Sequence, residues 1–177
     1  MDWSRDVLAY WFALDPASWW TADPDHDAEI AERFEELWGA ERHRVPEEFL
    51  VTADDALAAV ILFDQFPRHM FRGHAESFAT DPLALAIAKG AIEQGLDEQL
   101  PSDRRAFLYM PLQHSELLDD QERSLLLFTA LGDADMLRYA RLHHDVIARF
   151  RRFPHRNRML GRAPRPDEVA AGEVVPW

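Results

Sequence analysis

Apolar residues recur along this chain at intervals of three and four, and no stretch alternates with period two for long enough to make a strand. Ile30, Phe34 and Trp38 are spaced i, i+4, i+8, and Trp3, Val7, Leu8 and Trp11 follow the same rule. That spacing puts side chains on one face of a helix, so the expected fold is all-α. Proline and glycine punctuate the pattern. They delimit helices over Asp2 to Phe12, Asp27 to Arg42, and Thr52 to about Phe66, the last with Thr52 as N-cap and Pro67 as its break. Further helices are expected from an Asp81 N-cap with Pro82 behind it to Gly95, from Ser102 to a break at Pro111, over 118–131 before Gly132, and from Ala134 to Arg152. A short turn at Asp167 to Ala171 precedes the tail. Six to eight short helices suit antiparallel pairs stacked into an α-α superhelix better than a four-helix bundle. A chain of 177 residues suits one helical domain over 1–177.

The longest apolar run, Ala56 to Phe63, has core length and falls far short of a bilayer span. The first residues are acidic and aromatic, without the cationic start of a secretory signal, so a cytoplasmic location and no membrane association are expected. The absence of cysteine excludes disulfides, thiolate metal sites and thiol catalysis.

A net charge of −13 argues against nucleic acid as a partner, because clustered cations drive that binding. The charge is uneven. Residues 15–55 hold 13 acids against three arginines, whereas residues 138–165 hold nine arginines against one aspartate. Two oppositely charged segments packing together, or a local anion site, would each account for this. All the basic residues but Lys89 are arginine, whose planar fork suits carboxylate, phosphate or backbone carbonyls.

Three stretches set polar groups beside apolar ones. In "LFDQFPRHMFRG" (62–73), Asp64 and Gln65 are placed at the end of a buried helix. The negative end of the helix dipole disfavours a lone carboxylate there, so Asp64 calls for a partner such as Arg68 or Arg72. In "YMPLQHSELLDDQERS" (109–124), His114 and Glu116 are catalytic candidates, His114 as general base with Glu116 or Asp120 orienting it. Their spacing is not the i, i+3 or i+4 of helical metal ligands, and no metal is expected. In "RFRRFPHRN" (149–157), Arg152, His155, Arg156 and Asn157 emerge at a corner enforced by Pro154, with His143 at the core edge of the preceding helix. Arginines at a helix C-terminus satisfy orphan carbonyls, which explains one or two of them but not the whole cluster.

The elements "FDQFPRHMFRG", "FATDPLAL", "FLYMPLQHSELLDDQERS" and "HHDVIARFRRFPHRNRMLGR", with "VLAYWF" and "WWTAD" before them, resemble the bacterial family catalogued as domain of unknown function 924. Arg151 stands where that family usually has glycine, and His26 where an aromatic usually precedes the aspartate. The resemblance implies a tetratricopeptide-like helical fold and carries no activity or cofactor. Its signature residues are Asp64, Gln65, Arg68, Arg72, His114, Glu116, Gln121, His143, His155, Arg156 and Asn157. The expectation is that these elements meet at one concave face, in a polar pocket for a small anionic ligand. A helical scaffold for an acidic peptide is the second possibility, and an internal network of charge-assisted hydrogen bonds the third.

Overall fold

The computed structural model describes residues 2–175. Helix covers most of them, and no strand occurs among the described residues. Among the described residues nine α-helices follow one another: α1 Asp2–Trp11, α2 Pro24–Glu41, α3 Ala53–Val60, α4 Phe66–Met70, α5 Asp81–Glu93, α6 Ser102–His114, α7 Leu118–Leu131, α8 Ala134–Phe150 and α9 Pro166–Ala171. The chain divides into two compact units, one ending at Leu108 and the other starting at Tyr109, with the division inside α6.

The first unit is built around the segment 53–70. Every residue from Ala56 to Phe63 is wholly buried, because the run is apolar on all sides and α1, α2 and α5 surround it. Full burial of one such Phe or Leu is worth roughly 1.5–3 kcal/mol. Aromatic rings fill the gaps, with Tyr10, Phe34 and Phe66 at centroid distances of 4.6–6.2 Å.

Pro67 does not break this segment as the sequence reading expects. Between α3 and α4 lies one wide turn, Ile61–Gln65, in which the Phe66 N–H reaches back five residues to the Ile61 carbonyl. That extra residue lets Pro67 enter at the start of α4, where a missing N–H is tolerated. Asp64 therefore sits inside a continuous helical segment and not at its end. The Phe63 carbonyl, which Pro67 leaves without its helical donor, accepts instead from the Thr80 hydroxyl at 2.6 Å, and Thr80 in turn accepts from Trp38 Nε1 at 3.1 Å. Thr80, rather than Asp81, is consequently the N-cap of α5. Asp23 caps α2 three residues ahead of the expected start, accepting from the Asp25 N–H, with Pro24 opening the helix.

The second unit contains a helical hairpin. Gly132, at φ 81°, ends α7, and Asp133 caps α8 by accepting from the N–H groups of Asp135 and Met136. Pro111 lies inside α6, which continues past it to His114. α8 stops at Phe150, two residues short of the expected end, because Arg151 turns left-handed at φ 59°. A small core of Val146, Ile147, Phe150 and Phe153 gathers Leu118, Ala171 and Val174 against it.

Candidate functional site

In the first unit the polar motif residues serve several partners. Asp64 is wholly buried and Gln65 nearly so. Gln65 Nε2 donates to Asp64 Oδ2, and Arg68 lies 3.3 Å from Asp64 Oδ1 while donating to the Asp64 carbonyl. Arg68 also forks onto the Asp81 carboxylate at 2.9 and 3.0 Å, so it pins the wide turn to the start of α5. Arg72 instead forks onto Asp27 at 2.6 and 2.8 Å. The same carboxylate accepts from His69 Nδ1 at 2.9 Å, which fixes the neutral tautomer with its lone pair on Nε2. Burial would raise the Asp27 carboxyl, but the Arg72 and His69 donors outweigh it and hold it low; burial depresses His69 despite its carboxylate neighbour.

In the second unit the expected residues come together around Phe153. Glu116, just beyond the end of α6, accepts from the Phe153 N–H at 2.7 Å and takes both arms of Arg162 at 2.7 and 3.0 Å. Burial pushes the Glu116 carboxyl up, yet the guanidinium and the amide bring it below its ordinary value, so it stays ionised. A carboxylate held this way is a poor proton donor. Arg162 Nε reaches Asn157 Oδ1 at 2.9 Å, and Asn157 Nδ2 reaches Glu168 Oε2 at 2.9 Å. Glu168 also accepts from both nitrogens of the Arg152 fork and from the Arg165 N–H at 2.7 Å; the Arg152 bond above all lowers its carboxyl to about 2. Arg165 donates to the Phe150 carbonyl at the helix end. Four of the surplus cationic and amide groups thus tie the loop after α8 to α9 and to Glu116.

The histidines form the other part of the cluster. The His143 ring lies 5.9 Å from that of His114 and 5.6 Å from Phe153, and His155 lies 5.6 Å from Phe153 on its own side. The Arg156 guanidinium stacks over Phe153 at 4.5 Å and is itself buried. His143 Nδ1 donates to the Tyr139 carbonyl at 2.8 Å. Desolvation first, then the neighbouring His114 and the Arg156 charge, depress its imidazole to about 3, so it is neutral at physiological pH. Gln121, also a signature residue, uses Nε2 to bond the carbonyls of Gln113 and Ser115 and fixes the turn that carries Glu116.

A concavity of about 440 Å³ opens beside this cluster, lined by His155, Asn157, Arg158, Arg162 and Glu168 among others. Arg162 and Glu168 were not singled out from the sequence. Glu168 carries a readable signal, since it stands two residues after the Pro166 that opens α9, the position from which a glutamate reaches back to the N-cap N–H. Asp27 and His69 were missed because their pairing spans 42 residues. Among the described residues no cluster of three or more His, Asp or Glu side chains is placed to hold a metal, and no helix is long and apolar enough to cross a membrane.

Helices pinned by arginine–carboxylate forks, with a histidine cluster around one phenylalanine, define an all-helical protein whose motif residues are mostly engaged with one another. The chain belongs to the family of bacterial proteins of unknown function DUF924, whose model matches residues 7–171. It is similar to a solved structure of a protein of unknown function from Agrobacterium tumefaciens, at 37% identity over 97% of both chains and a TM-score of 0.91. No curated protein matches it.

Proposed function

We propose that the second unit binds a small anionic ligand in the concavity beside Pro154. The observation that carries this reading is Arg158. It is exposed, lines the concavity together with His155 and Arg162, and has no carboxylate partner among the described residues, whereas Arg152 and Arg162 are spent on Glu168 and Glu116. A guanidinium beside an imidazole in a concavity of small-molecule size is a donor set for phosphate or carboxylate. Glu173 also lines the concavity, where its carboxylate repels an anion that is not held by Arg158. His143, neutral and buried, packs against Phe153, and the His114 ring stands 5.9 Å from it.

Thermal melts against inorganic phosphate, acetate and succinate test the proposal. A ligand at 100 times its Kd adds about 2.7 kcal/mol, a rise of several degrees for a chain of this size. Arg158→Ala is expected to leave the unliganded melting temperature in place and erase the rise. An undiminished rise in that variant, or none with any of these anions, sinks the reading.

A further inference from the structure

A concavity of the first unit, about 610 Å³, has no part in the proposal above. Its floor is the outer face of α1 and the turn after it: Leu8, Ala9, Phe12 and Ala13. Its two ends carry opposite charge. At one end Ser4 donates to Asp55 at 2.7 Å, and Thr52 caps α3 by accepting from the Asp55 N–H, which places the exposed Asp54 in the first turn of that helix. At the other end the Arg104 guanidinium stacks on the Phe12 ring at 4.6 Å, where the ring holds it in place. Ser4 and Phe12 are eight residues apart along α1, so the ends are separated by about 12 Å at 1.5 Å per residue. Neither Asp54 nor Arg104 has an ion-pair partner among the described residues. Arg5, next to Ser4, also lines the groove and makes no ion pair among the described residues, and each of the three stays available to a ligand.

We infer that this groove binds a short zwitterionic peptide, its ammonium on Asp54, its carboxylate on Arg104 and its apolar side chains on the alanine and leucine floor. Length selects the class. An extended chain spans at most about 3.3–3.6 Å per residue, so a tripeptide places its charged ends roughly 10–11 Å apart, whereas a free amino acid cannot touch both ends. The apolar floor and the volume favour side chains larger than alanine, and Arg5, which also lines the groove, can donate to a main-chain carbonyl. A site that reads both termini discriminates by leaving one charge unpaired whenever a terminus is blocked.

Calorimetric titration with trileucine, N-acetyl-trileucine and trileucine amide is the test. Trileucine is expected to bind, and each blocked form at least tenfold more weakly. Asp54→Asn should abolish the penalty of acetylation while keeping that of amidation, and Arg104→Gln the reverse. Both positions are at the surface and outside the core, so folding is retained and is checked by the melt of each variant. Equal binding of the blocked and free peptides, or no binding of trileucine at millimolar concentration, overturns the inference. A groove that binds all three without preference is an apolar contact surface and not a terminus-reading site.

Discussion

Arg151 is the single residue other than glycine with positive φ among the described residues, and it holds the left-handed turn that ends α8. A side chain with a Cβ is strained there, at a cost of roughly 1–2 kcal/mol, while its guanidinium makes no hydrogen bond or ion pair among the described residues in compensation. Arg151→Gly is therefore expected to stabilise the protein by about 0.5–1 kcal/mol, the strain relieved less the entropy glycine adds to the unfolded chain. A urea midpoint that fails to rise contradicts this. Glu116 gives the opposite case. It accepts from the Phe153 N–H and from both arms of Arg162, one of which also reaches the Phe153 carbonyl, so Glu116→Ala strands two donors and should cost about 2–3 kcal/mol, whereas a purely catalytic Glu116 would leave the urea midpoint unmoved. The sequence reading expects Glu116 and the RFPHRN turn at one concave face and makes Glu116 a catalytic candidate beside His114; its partner Arg162, 46 residues away, was not legible because nothing local marks a long-range fork.

At the level of elements, helix existence follows from apolar spacing, and helix ends follow from caps wherever the cap is local. Thr52, Gly95 and Gly132 end or begin helices as their chemistry dictates. Prolines misled. Pro111 is absorbed within α6, and Pro67 is accommodated by a wide turn that depends on a donor from another element, the Thr80 hydroxyl. That dependence is testable by a double-mutant cycle. Thr80→Val removes the donor to the Phe63 carbonyl and the acceptor of Trp38 Nε1, both buried, and should cost about 2–4 kcal/mol. Pro67→Ala restores a backbone N–H four residues after Phe63, the donor a regular helix would supply. In the Pro67→Ala background Thr80→Val should therefore cost at least 1 kcal/mol less. Strict additivity would show that the carbonyl does not link the two residues.

At the scale of the whole molecule, composition already indicates an acidic protein in which arginines are outnumbered by carboxylates, but it is silent on what acid does to the fold. The carboxylates held low by arginine, Asp27, Glu116 and Glu168, keep their charge well below neutral pH and lose their contribution only as the pH falls through their folded values. The buried histidines respond first. His143 folds neutral with an imidazole near 3, among His114, His155, Arg156 and the Tyr139 carbonyl, against an ordinary value of about 6.5 in the unfolded chain. Its folded value is depressed, so the unfolded state binds the proton more readily, and stability is fully present above about pH 6.5 and drains away toward pH 3. At pH 5 the expected loss from this one residue is about 2 kcal/mol. His69, also depressed by burial, acts in the same direction. Protonating a protein of net charge −13 relieves self-repulsion and opposes the trend, so the wild-type melt alone is ambiguous. The comparison that isolates His143 is the difference in melting temperature between pH 7.5 and pH 5 for wild type and for His143→Gln, whose amide can still donate to Tyr139 but cannot charge. The variant should be less stable than wild type at pH 7.5, where packing is lost, and should close most of that gap at pH 5. Parallel curves would mean that the His143 proton is bound equally by the folded and unfolded chains and that its burial carries no linkage.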